Sequence, residues 1–160
     1  RVEDRSLNAD DLDDVVTLAQ ATAAPRSFAI SASTQIEAPI LVPSSLFRQV
    51  MLNLLLNAIK AAGDAGEVHA ALLCTRERVQ FTVLNTGPAL HAELLHQKLQ
   101  AEDRQDPHGF GLWICREFAV RYGGHFDAAS AADVPPPFRT RLSFWLPNTA
   151  QHDPQKSAAD

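Results

Sequence analysis

The chain has 160 residues, 46% hydrophobic and 21% charged, which fits one globular domain with a sizeable core and excludes a disordered or fibrous chain. A formal net charge of −5, with Lys and Arg scattered along the sequence, argues against a nucleic-acid binder. The longest apolar run, Val50 to Leu56 with Ala58 and Ile59 beyond it, is broken by Asn53 and Asn57 and is too short to span a bilayer, so no membrane contact is expected.

In chain order, Arg1 to Ala9 is a polar lead-in, and Asp10 to Ala24 has Leu12, Val15, Val16, Leu18 and Ala19 in a helical pattern behind acidic first-turn residues. Ser27 to Ser33 and Ile36 to Val42 are β-prone and predict two strands before Pro43 and Ser44 open a long helix. Glu67 to Thr75 and Arg78 to Leu84 predict an antiparallel pair turning at Arg76 and Glu77. Leu90, Leu94, Leu95 and Leu99 mark a short amphipathic segment, and the polar stretch from Gln100 to His108 predicts a mobile lid. Gly111 to Tyr122 is a third major helix with Gly123-Gly124 as a left-handed cap. His125 to Ala129 and Thr140 to Leu146 close the domain as a strand pair, and residues 148–160 predict a flexible tail. The order of elements implies a two-layer α/β sandwich, a mixed sheet of about five strands with three main helices on one face.

Cys74 and Cys115 sit in apolar settings without metal-ligand or disulfide spacing, which predicts buried free thiols in a reducing cytoplasm. There is no signal peptide, and a first residue other than Met suggests a fragment of something longer.

Three stretches carry chemistry. Within "FRQVMLNLLLNAIKAAG", Gln49, Asn53, Asn57 and Lys60 are spaced four, four and three apart, which puts all four on one stripe of an otherwise apolar helix. Unpartnered buried amides destabilise by about 1 to 3 kcal/mol, so the stripe is expected to face something polar, with Lys60 in reach of a phosphate. "VLNTGP" leaves a strand, and in "HGFGLWIC" Gly109 and Gly111 open a helix whose N–H groups and dipole favour anions. Together they imply a nucleotide site.

These stretches resemble the N, G1 and G2 boxes of the ATP-binding catalytic domain of sensor histidine kinases, in the gyrase, Hsp90, histidine kinase and MutL superfamily. The resemblance runs from Asp10 to Pro147 and implies a Bergerat-type fold, with residues 1–9 left from a linker to an upstream domain. It implies ATP and Mg²⁺ as ligands, with Asn57 as the magnesium ligand and Asn53 lining the same cavity. ATP-hydrolysing relatives hold a water-activating Glu at position 53, so an Asn suits transfer rather than hydrolysis. Asn85 stands where the family has an adenine-reading Asp, and Gly87, Gly109, Gly111, Leu112 and Thr140 complete the implied nucleotide contacts. Ala89, Pro107 and Arg139 occupy positions where the family usually has Gly.

No catalytic residue is expected in this chain, because the resemblance puts the phosphoacceptor histidine on an upstream dimerisation domain. That domain and the receiver domain of a response regulator are the implied partners, with no nucleic acid. Two rival readings stay open: a docking module that has lost nucleotide contacts, and a serine kinase of the anti-sigma-factor type.

Overall fold

The computed structural model describes residues 4–23, 27–88 and 111–150. Helix α1 spans Asp11–Ala23 and buries Leu12, Val15 and Ala19, spaced three and four apart as a one-sided helix requires. Strand β1 is Phe28–Ile36, helix α2 Ser44–Ala62, and β2 and β3 are Gly66–Cys74 and Arg78–Asn85. Helix α3 is Leu112–Arg121, followed by β4 at His125–Ser130, a 3-10 turn at Ala131–Asp133 and β5 at Thr140–Pro147. The segment expected to be amphipathic around Leu90 to Leu99 and the expected lid to His108 lie outside the described residues, as do Ala89, Pro107, Gly109 and 151–160.

The five strands lie in the order β1-β2-β3-β5-β4, giving the mixed sheet that the pattern of elements implies. β1 and β2 are parallel, and α2 is the crossover such a pair needs; the other neighbours are antiparallel. Along β2, β3 and β5 buried and half-buried residues alternate, so one face is core and the other is open. Row by row the inner face carries Cys74–Val79–Leu146, Leu72–Phe81–Phe144 and Ala70–Val83–Leu142. α2 lies on this face with Phe47 edge-on to Phe144, ring centroids 5.5 Å apart. The Gly-Gly signal after α3 is realised: Gly123 has φ +76° and the Gly124 N–H donates to Ala119 O at 2.8 Å, closing the helix.

Three expectations are corrected. The second β-prone run is not a strand beyond Ile36, which ends β1: Pro39 and Pro43 lack the N–H a ladder needs, and residues 37–42 are irregular, with bends at 37, 38 and 42, and bury Val42. The lead-in is not outside the folded unit. Leu7 is buried, its N–H donates to Val42 O at 2.9 Å, and Ser6 bridges Pro43. Nor does loose chain begin at 148: the Asn148 amide is buried and donates to Pro39 O and Thr75 O, both at 2.9 Å, while its oxygen accepts from the Leu41 N–H. Hydropathy reads such polar anchors as surface.

Two carboxylates lock the start of α2. Pro43 at its N-cap offers no side-chain cap, and Asp4 supplies one from a distance, accepting from the Ser45 N–H and the Ser44 hydroxyl at 3.1 Å each and from the Ser45 hydroxyl. Asp11, fully buried, accepts two hydrogen bonds from Arg5 at 2.6 and 2.9 Å, one from Arg48 at 3.2 Å and one from the Asn8 N–H at 2.7 Å. Burial acts to raise the Asp11 pKa, but the Arg5 and Asn8 hydrogen bonds and the two guanidinium charges outweigh it and hold the carboxyl below its ordinary value.

Candidate nucleotide site

The polar stripe of α2 runs obliquely into the molecule. Gln49 and Lys60 are exposed at its two ends, Asn53 is buried at 8% exposure and Asn57 is half-buried. Among the described residues the side chains of Asn53, Asn57 and Lys60 have no hydrogen-bond or ion-pair partner. Seven apolar residues of α2 between Phe47 and Ala58 are buried, so burial of the remaining surface holds the helix and leaves the amides available. Amide oxygens are hard donors, the type Mg²⁺ prefers, and no cluster of three or more His, Cys, Asp or Glu side chains able to hold a metal occurs among the described residues.

At the adjacent end of the sheet the core face turns polar. Asn85 closes β3 opposite Val68 on β2 and Thr140 on β5, and Thr140 in turn faces Ser130 on β4. Asn85 and Thr140 are buried. The Asn85 Nδ2 donates to Thr86 O at 2.8 Å, so the amide's hydrogen-bond donor is engaged and its Oδ1 remains an acceptor without a described partner. Thr86 extends the β2–β3 ladder by one reciprocal pair: its N–H donates to Glu67 O at 3.0 Å and its hydroxyl accepts from the Glu67 N–H at 2.9 Å.

Gly87 joins the sheet end to the helix. It has φ +101°, and a Cβ built on it would stand 2.2 Å from Ala61 O, so any larger residue meets both a strained backbone and a collision. Ala61 is one turn beyond Asn57 and next to Lys60, which places the Asn-Thr-Gly turn against the C-terminal end of the polar stripe.

Gly111 is the N-cap residue of α3, with no side-chain cap, and Leu112 behind it is buried in the core. A Cβ on Gly111 would meet the Trp113 indole at 2.5 Å, so the ring folds back over the glycine. That contact and the half-buried state of Trp113 fit a packing residue. Trp145 does not: it lies on the open face, with the Arg78 guanidinium 4.2 Å above its ring. The two stand in a groove of ≈430 Å³ with Gln80, Thr82 and Ser143, on the face opposite Asn85 and sharing no residue with the stripe. Both thiols are buried, and burial pushes Cys115 up to about 12, so neither supplies a nucleophile.

Of the residues singled out by sequence, the structure therefore gathers Asn57, Lys60 and Gly87 at one end of α2, puts Asn53 one turn back and seats Asn85 and Thr140 side by side on the core face. Gly109 is outside the described residues. Sequence reasoning missed the Ala61 carbonyl that receives Gly87, because a backbone contact leaves no side-chain signature, and Ser130, visible only once β4 and β5 are aligned.

The histidine kinase-, DNA gyrase B- and HSP90-like ATPase family model matches residues 43–150, from the start of α2 to just past β5. The chain belongs to this family. Sensor histidine kinase ZraS of Klebsiella oxytoca is 31% identical over 154 residues, which cover 91% of this chain and 32% of that protein. The adaptive-response sensory kinase SasA of Crocosphaera subtropica is 37% identical over 86 residues, covering 49% of this chain and 22% of its own. The chain thus spans a third or less of these relatives. Among solved structures, the catalytic domain of histidine kinase ThkA superposes with a TM-score of 0.72 at 21% identity, covering 93% of this chain and 98% of the other. The mycobacterial sensor histidine kinase MprB gives a TM-score of 0.65 at 21% identity, covering 89% of this chain and 95% of the other. The fold of this ATPase-family domain is that of a histidine kinase catalytic domain. No helix among its described residues is long and apolar enough to cross a membrane.

Proposed function

We propose that the chain is the ATP-binding catalytic domain of a bacterial two-component sensor histidine kinase. It would present MgATP to a histidine on a separate dimerisation domain, whose phosphoryl group then passes to the receiver domain of a response regulator. The observation that carries this reading is the docking of the Asn-Thr-Gly turn on the end of the α2 stripe, which joins two chemically distinct subsites in one place. ThkA has been seen in complex with the response regulator TrrA, and its matching domain has this fold, with a TM-score of 0.65 at 22% identity. That precedent supports the relay context.

In this reading Asn57 would hold Mg²⁺, which would supply charge neutralisation for the phosphates, while Asn53 would line the cavity and Lys60 would offer its ammonium to a phosphate. The free Oδ1 of Asn85 accepts from the exocyclic amine of adenine, oriented for it by the bond from Nδ2 to Thr86 O, and Thr140 borders the base from the next strand. Gly87 lets the turn pack on the Ala61 carbonyl, Gly111 leaves room for the Trp113 ring, and the uncapped N–H groups ahead of Leu112 would favour anionic charge, with Gly109 proposed to line the same phosphate path. Asn53 carries no charge and cannot abstract a proton from water, so hydrolysis lacks a general base. Transfer to a neutral imidazole, already nucleophilic, needs alignment and charge neutralisation instead.

A neutral residue at position 85 favours a second reading, a docking module with weakened nucleotide contacts, since an Asn acceptor lacks the charge assistance of a carboxylate. Calorimetric titration with a non-hydrolysable ATP analogue, with and without Mg²⁺, decides between them. Magnesium-dependent binding that weakens in Asn57→Ala supports the kinase reading, and no heat at millimolar ligand from a folded protein supports the docking module.

A further inference from the structure

The two edges of the sheet are built differently. β4 is six residues long, has Asp127 in its middle and runs straight into a 3-10 turn, features that discourage pairing with another strand. β1 is nine residues long, Phe-Ala-Ile-Ser-Ala-Ser-Thr-Gln-Ile, without a charge, proline or glycine. Among the described residues it pairs on one side only, with β2. From Ala32 to Ile36 it is exposed on both faces.

Its helix-facing side chains are graded along its length. Phe28, Ile30, Ala32, Thr34 and Ile36 stand in register with Gly66, Val68, Ala70, Leu72 and Cys74, all buried on the inner face. Phe28 and Ile30 are half-buried against the core, whereas Thr34 is exposed and Ile36 is 42% exposed. An apolar residue therefore lies open at one end of the edge strand and an aromatic one is half-covered at the other.

We propose that β1 is a self-pairing edge, through which two copies of this chain join antiparallel about a two-fold axis at Ala32 and continue the sheet across a dimer. In that register Ala32 faces the partner's Ala32, Ile30 faces the partner's Thr34 and Phe28 faces the partner's Ile36. Aromatic and β-branched pairs of this kind stabilise antiparallel strands, and the interface contains no like charges to oppose it. The register also covers Ile36 with the largest side chain of the strand. A slip of two residues would oppose Phe28 to Thr34 and leave Ile36 uncovered. This interface is independent of the nucleotide site and of its assigned chemistry.

The test is sedimentation of the 160-residue chain up to about 1 mM, with cross-linking of substituted cysteines. Residues directly opposite in an antiparallel pair have Cα atoms roughly 4.5 or 5.5 Å apart, within the range of about 4.4 to 6.8 Å that a disulfide spans. Ala32→Cys is expected to give a covalent dimer under mild oxidation, while Ser33→Cys, whose opposite residue is the partner's Ser31, is expected to give little. Both natural thiols are buried and do not compete. Ala32→Lys places two ammonium groups face to face and is expected to reduce the dimer to a monomer that melts as the dilute, monomeric wild type does, since Ala32 is exposed. A monomer throughout the concentration range overturns the proposal. So does a dimer that survives Ala32→Lys, or cross-linking equally efficient through positions 32 and 33.

Discussion

The two ends of α2 handle polar side chains in opposite ways. At its start every acidic or basic side chain is engaged: Asp4 takes the Ser44 and Ser45 donors, and Arg48 joins Arg5 on the buried carboxylate of Asp11. Toward its end Asn53, Asn57 and Lys60 have no described partner although Asn53 is buried. The same helix thus spends its N-terminal polar groups on the fold and leaves its C-terminal ones open. No buried side-chain nitrogen or oxygen among the described residues lacks a hydrogen-bond partner, so the Asn53 amide reaches solvent and costs the fold little, and what sets this end apart is that its polar groups are left accessible to something that binds there.

Substitutions at the two ends should therefore part company, and the largest stability loss is expected at the paired end. Asp11→Ala strands two guanidinium groups and should lower unfolding free energy by about 2 to 3 kcal/mol, short of a fully buried pair because both arginines reach solvent. The folded pKa of Asp11 lies below its ordinary value of 3.8, so its stabilisation is fully present above that value and is lost as pH falls through the folded one. Urea unfolding at pH 7 and pH 3 checks both points. The gap between wild type and Asp11→Ala should narrow at pH 3, and a gap that widens there would refute the assigned protonation state.

Gly87→Ala comes next, because it acts on the junction between the sheet end and the helix end. Its positive φ and the Ala61 carbonyl 2.2 Å from a built Cβ predict a loss of about 2 kcal/mol, with displacement of the turn from the stripe. Nucleotide affinity should fall in the same variant. Wild-type affinity in a destabilised Gly87→Ala protein would separate the turn from the site.

How much of this was legible in the sequence follows the same division. The elements of the core were readable because β2, β3 and β5 alternate with period two and α1 with helical period, and burial obeys that spacing. The amide stripe was readable as polar residues kept where apolar ones would pack. What escaped was the polar structure with no periodicity: Asp4 capping a helix forty residues away, Leu7 and Asn148 buried at the ends of the fold, and prolines turning a β-prone run into bends. Trp145 lies off the core with Arg78 covering its ring, an arrangement that its sequence neighbours do not reveal. Long-range pairing leaves no trace in local spacing.

The smallest stability effects are expected at the open end, and they are the sharpest contrast with Asp11. Asn57→Ala should change unfolding free energy by no more than about 0.5 kcal/mol, since it removes no described hydrogen bond and alanine is the better helix former. Asn53→Leu should also stay within about 0.5 kcal/mol of wild type, because it removes no described hydrogen bond and the amide atoms it replaces reach solvent. Both should weaken magnesium-dependent nucleotide binding at least about tenfold, the loss of one ionic or hydrogen-bonded contact of roughly 1.4 kcal/mol. Paired denaturation and titration of each variant test this. If Asn53→Leu instead unfolds as readily as Asp11→Ala, the amide is holding the structure together, and the division between the two ends of α2 is wrong.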